Sequence, residues 1–202
     1  MAADRETRTL VFDTSGPWIA AGLGSGARLL HAGTETMARG QAERLLPLLE
    51  ELLAATGIRW SDLEAIGVGT GPGNFTGTRI AVATARGLAL ALGIPAIPIS
   101  AFELARSAET ALVLLAAPRG RAYAQRFADG RAAGPPELID PATLGPDAPP
   151  VQIATPPSPA AMVRILHARL AAGPDLTLRP APLYVRPADA APPSDPPPVI
   201  LP

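Results

Sequence analysis

The chain has 202 residues, is 48% hydrophobic, contains two histidines and no cysteine, and carries a net charge of −1. That length can bury a core in one large domain or two small ones. The absence of cysteine excludes disulfides, thiolate catalysis and Cys-held metal, and the balanced charge gives no overall attraction to a phosphate backbone. No run approaches the roughly 18 to 20 apolar residues of a membrane span. The opening Met1-Ala2-Ala3-Asp4-Arg5-Glu6 lacks the basic-then-apolar order of a secretory signal, so a cytoplasmic location without membrane contact is expected.

Thr9 to Phe12 is a β-prone run that ends at the turn formers Asp13-Thr14-Ser15-Gly16-Pro17; Trp18 to Leu23 and Arg28 to Ala32 then read as the second and third strands of a meander. Leucines at three-and-four spacing mark a helix over Gln41 to Thr56, closed by Gly57. Pro47 lies inside that pattern and predicts either a kink or a later start. Leu63 to Gly69 reads as a buried strand, Thr78 to Leu92 as a helix with a small-residue side (Ala83, Thr84, Gly87, Ala91), and Ala96 to Ile99 as a strand before a short helix from Ser100.

Further on, Ala111 to Leu115, Ala122 to Phe127 and Val151 to Ala154 read as strands, and Asp129-Gly130 as a turn. Ser158-Pro159 caps a helix to Ala172. Six of the 25 prolines precede residue 130 and 19 follow it, so the second half is expected to be loop-rich. The spacing predicts a two-lobed α/β chain: a first lobe over 1–107, a second lobe over 108–186, and a Pro-rich tail over 187–202.

The strongest local signal is the glycine-rich run from Gly69 to Arg79 between a strand and a helix. Gly71, Gly73, Asn74, Thr76, Gly77 and Arg79 there could cradle an anion at the helix N-terminus, or simply form a tight turn. The run lacks the Gly-Lys-Ser/Thr ending of a Walker A loop and the spacing of a dinucleotide fingerprint. Asp13, Thr14 and Ser15 occupy the place where a phosphate-handling turn follows a first strand, and they equally suit an Asx turn. His31 and His167 stand far apart, so no zinc site is expected. Ser15, Ser61 and Ser100 lack a nucleophile elbow. Arg119, Arg121, Arg126 and Arg131 form the one basic cluster and read as a solvated face or a contact for RNA or an acidic partner.

Taken together, these segments resemble the TsaB (YeaZ) family, shortened inactive relatives of the TsaD threonylcarbamoyltransferases. The resemblance rests on Asp13-Thr14-Ser15, on Glu43-Arg44-Leu45-Leu46-Pro47, on Gly71-Pro72-Gly73-Asn74-Phe75-Thr76-Gly77-Thr78-Arg79, and on Pro182-Leu183-Tyr184-Val185-Arg186. It is dense over residues 9 to 107 and thin beyond. It implies the actin-like ATPase (ribonuclease H-like) fold, with two lobes each on a mixed sheet and the second reduced. It also implies a pseudo-enzyme subunit that supports transfer of threonylcarbamoyl to N6 of adenosine 37 in tRNAs reading codons that start with A.

The implied partners are a TsaD-like catalytic subunit, a TsaE-like ATPase, a second copy of the chain when alone, and tRNA mainly through the complex. No cofactor is required of this chain, and ATP or ADP would sit at the partner interface. Glu43, Leu45, Leu46, Leu49, Leu53, Ile80, Ala83, Thr84 and Gly87 are the implied interface. A stand-alone actin-like ATPase or small-molecule kinase using Asp13 and the Gly71 loop is the alternative. A metalloprotease finds no ligand pair or nucleophile.

Overall fold

The computed structural model describes residues 7–107, 109–173 and 179–185; the tail expected over 187–202 lies outside them. Three strands open the chain, β1 (Arg8–Asp13), β2 (Trp18–Ser25) and β3 (Arg28–Thr36). Helix α1 (Gln41–Thr56) leads to β4 (Ala65–Gly69), and α2 (Phe75–Leu92) leads to β5 (Ala96–Ile99). The sheet order is β3-β2-β1-β4-β5. Tight turns keep β1 to β3 antiparallel, whereas each helix crossover returns the chain parallel, so β4 lies parallel to β1 and β5 to β4.

The sheet is buried on both faces because β1 alternates two apolar sets. Leu10 and Phe12 meet Leu45, Leu49, Leu52 and Leu53 of α1 and Ala81 and Ala85 of α2. Val11 faces the other way, with Ala65, Ile97 and Ile99. That second face is covered by Met162, Val163 and Leu166 of α4 (Pro159–Ala171), a helix from the far end of the chain. A lobe boundary at 107 therefore separates the two sheets but misplaces α4, which packs on the first sheet although it follows the second. Burial on that face decides its place.

Between them lie α3 (Ala101–Ala105), β6 (Leu112–Ala116), β7 (Ala122–Ala128), β8 (Arg131–Ala132) and β9 (Glu137–Ile139). Strand β7 pairs antiparallel with β6, β8 and β9. The strand expected over Val151 to Ala154 is only a parallel bridge between Leu115 and Gln152, and the mixed character of this sheet is confined to it. Pro149-Pro150 and Pro156-Pro157 flank the segment and supply no amide protons to a longer ladder. Helix α1 does not start late: it runs from Gln41 with Pro47 inside. Helix α2 starts three residues earlier than its apolar pattern predicts, because the Asn74 side chain accepts from the Gly77 amide and caps it.

Candidate functional site

Asp13 closes β1 and is 3% exposed. Its Oδ1 accepts three hydrogen bonds, from the Ser15 amide at 2.9 Å, the Ser15 hydroxyl at 2.9 Å and the Trp18 indole Nε1 at 2.8 Å. A Cβ at Gly69 would lie 1.8 Å from Asp13 Oδ2, so the neighbouring strand reaches this carboxyl only as glycine. Burial pushes the Asp13 carboxyl above its ordinary range, and the bonds from Trp18 and Ser15 oppose that shift without reversing it.

The two predicted phosphate turns are bonded to each other. Thr14 Oγ1 donates to the Gly77 carbonyl at 2.6 Å, and the Asn74 amide donates to the Ser15 carbonyl at 2.6 Å. A Cβ on Gly77 would stand 1.9 Å from the Thr14 carbonyl oxygen, so the first turn of α2 touches the β1 turn backbone to backbone. The Gly71 carbonyl accepts from the Ala101 amide at 2.8 Å. Part of the donor set that an anion loop would offer is thus spent inside the fold.

Between the two sheets lies a cleft of about 410 Å³ whose walls include Asp13, Ser15, Gly73, Tyr123, Gln152 and Ser158. Of the predicted anion-loop residues only Asp13, Ser15 and Gly73 line it. Thr14, Asn74 and Gly77 form the zipper behind it, Gly71 anchors α3, and Thr76 sits instead beside Glu43 and Ile80 between the N-terminal ends of α1 and α2. Arg79 turns away from the cleft. Its guanidinium stacks 3.6 Å from the Phe75 ring centroid, and its Nε donates to the Tyr184 hydroxyl at 2.7 Å. The closing segment is also held by the Leu183 amide on the Thr70 carbonyl at 2.9 Å.

Sequence reasoning missed Trp18 as a partner of Asp13. The only available signal was an indole placed just past the Gly16-Pro17 turn. It also gave Tyr184 no task, since 105 residues separate it from Arg79.

Among the nine expected interface residues, Leu45, Leu49 and Leu53 are corrected to core: all three are buried against the first sheet. The outward positions are Glu43 and Leu46 on α1 with Ala83 and Gly87 on α2, while Ile80 and Thr84 are half-buried. Leu90, unexpected at this site, is 86% exposed on the same side of α2. Among the described residues no three His, Asp or Glu side chains gather as a metal site, and no helix is long and apolar enough to cross a membrane.

A sheet ordered β3-β2-β1-β4-β5, helices on both faces and a turn after β1 zipped to a Gly-rich helix start define the ribonuclease H-like lobe of actin-like ATPase folds. Residues 34–131 match the family described as TsaD, tRNA N6-adenosine threonylcarbamoyltransferase. An uncharacterised protein of Mycobacterium tuberculosis is 33% identical over 91% of this chain and 93% of its own length. The tRNA threonylcarbamoyladenosine biosynthesis protein TsaB of Haemophilus influenzae is 35% identical over 47% of this chain and 45% of its own. A crystal structure of a Pseudomonas aeruginosa protein with similarity to peptidase YeaZ superposes with a TM-score of 0.74 at 25% identity, over 89% of this chain and 100% of that one. The chain belongs to the TsaB family.

Proposed function

We propose that the chain is a non-catalytic partner subunit in tRNA threonylcarbamoyladenosine formation, pairing through the outward faces of α1 and α2 with a TsaD-like catalytic subunit, or with a second copy of itself when alone. The observation that carries this reading is the surface made by Leu46, 45% exposed, Leu90, 86% exposed, and the small residues Ala83 and Gly87 between them. Small side chains let a foreign helix approach closely, and an apolar centre of this kind is what a partner would bury.

The cleft supports a non-catalytic role as well. The carboxyl that would order metal or attacking water has Oδ1 fully engaged by Ser15 and Trp18 and sits in a buried environment that favours its neutral form. In this reading the chain needs no cofactor, a TsaE-like ATPase and tRNA join through the complex, and any ATP or ADP lies at the partner interface.

Ala83 is exposed, so a charge there costs the isolated chain little. Ala83→Glu is expected to abolish pairing while leaving the circular dichroism and unfolding transition of the monomer unchanged; light scattering that still shows pairing would overturn the interface. Depleting the protein should lower threonylcarbamoyladenosine in bulk tRNA, restored by the wild-type gene and not by Ala83→Glu. ATP turnover by the chain alone, lost in Asp13→Ala, would instead support the kinase alternative.

A further inference from the structure

The cleft between the two sheets suits an uncharged occupant. Its volume of about 410 Å³ lies within the roughly 300–1,000 Å³ of sites that bury a small ligand. Its walls carry no arginine or histidine, and Asp13 is the one carboxyl among them, so a phosphate or carboxylate would enter with no opposite charge to meet it. Trp18, Leu104, Leu115 and Tyr123 line it instead, together with Ile153, which is 81% exposed. The cleft also holds unused donors. Gln152 is bonded to β6 through its own amide and carbonyl, at 2.8 Å each, but the amides of Ile153, Ala154 and Thr155 and the Tyr123 hydroxyl make no hydrogen bond to another described residue. The described chain ends beside these groups. Leu183, its amide bonded to the Thr70 carbonyl, packs in one apolar cluster with Leu115, Ala101, Ala105 and Tyr123, all of which line the cleft.

We infer that the cleft is a receptor for a segment of this same chain, Pro196 to Leu201, which folds back past Leu183 and lays Val199, Ile200 and Leu201 between the sheets. Residues 196–202 read Pro-Pro-Pro-Val-Ile-Leu-Pro and carry no charge, which matches walls without a cation. The ten residues between Val185 and Pro196 reach up to about 35 Å when extended, enough to return to the walls that Leu183 already touches. Proline has no amide proton, so Pro196, Pro197 and Pro198 bring carbonyl acceptors to the free amides of residues 153–155 and no donor that would need a partner. Proline-rich backbone is also restricted before it docks, which lowers the cost of ordering it, and grooves lined by aromatic rings receive such segments. The inference is independent of the pairing face, since no residue of α1 or α2 lines the cleft.

The test is paramagnetic broadening of nuclear magnetic resonance signals in the isotope-labelled full chain. The sequence has no cysteine, so Asp195→Cys provides a single attachment point for a nitroxide. The nitroxide should broaden the Trp18 indole signal and the amides of Ile153, Ala154 and Thr155, and leave sharp the amides of Glu50 and Ala54 on the exposed side of α1. Adding Ile200→Asp/Leu201→Asp to the same chain should abolish that broadening. Without the nitroxide, the double variant should speed amide hydrogen exchange at Ile153 to Thr155 about tenfold or more over wild type. Circular dichroism checks that each variant is folded. Broadening that is absent or uniform, or exchange that Ile200→Asp/Leu201→Asp leaves unchanged, would overturn the self-docking. So would broadening that depends on mixing isotope-labelled chains with separate nitroxide-bearing ones, because the segment would then come from a neighbouring copy.

Discussion

Asp13 shows how one environment sets the state of a single side chain. Its carboxyl is buried, and burial outweighs the three donated bonds, so the folded chain holds the proton more tightly than the unfolded one does. The sign of the stability effect follows. Below the unfolded value both states are protonated and the full stabilisation is present. As pH rises past that value the unfolded chain gives up its proton first, and stability falls until the higher folded value is passed. Asp13→Asn keeps an Oδ1 acceptor for Ser15 and Trp18 and removes the titration. It should therefore be more stable than wild type near neutral pH, with the advantage shrinking toward acid, as chemical denaturation at several pH values would record. A constant difference across pH would contradict the account. The position of Asp13 after an apolar run was legible in the sequence; the upward push on its carboxyl was not, because the burial that causes it arises only after β1, β2 and β4 are assembled.

At the scale of elements, the junction between the β1 turn and the start of α2 depends on Gly77. An Ala there would place its Cβ 1.9 Å from the Thr14 carbonyl oxygen, which is backbone and cannot rotate aside. Gly77→Ala is expected to destabilise by about 1–3 kcal/mol or more by overpacking, even though Ala is the better helix former, and the loss would appear in urea unfolding midpoints. A stabilising effect would mean that the turn and helix separate freely. The helices themselves were legible: the leucine period located α1 and the small-residue run located α2, with glycine closing each. The start of α2 was not, because apolar spacing begins at Thr78 whereas the cap at Asn74 is polar and local. Nor did the leucine stripe reveal its direction. Leu45, Leu49 and Leu53 serve the sheet and Leu46 does not, a division that depends on which side of α1 the strands occupy.

In the whole molecule, α4 ties the end of the chain to its beginning. Met162, Val163 and Leu166 are fully buried on the face formed by Val11, Ala65, Ile97 and Ile99. Burying such side chains contributes about 1.5–3 kcal/mol each, so three amount to roughly 5–9 kcal/mol, comparable with the entire net stability of about 5–15 kcal/mol typical of a domain. A fragment ending at residue 107 should therefore lack a cooperative thermal transition, and supplying residues 158–173 through a linker should restore one; a fragment that melts cooperatively alone would show the first sheet to be self-sufficient. The sequence by itself determined the element types of the first sheet and its helices, the α/β class and the Gly-rich junction after β4, because apolar period, caps and turn residues act within a few positions of one another; it placed a strand at Val151 to Ala154 where only a bridge forms, and gave none for β8 or β9. Only the tertiary structure decided that α4 closes the first sheet, that Trp18 engages Asp13 and that Tyr184 holds Arg79. Each of those pairings joins residues whose proximity is set by strand order and helix packing, and no local spacing encodes it.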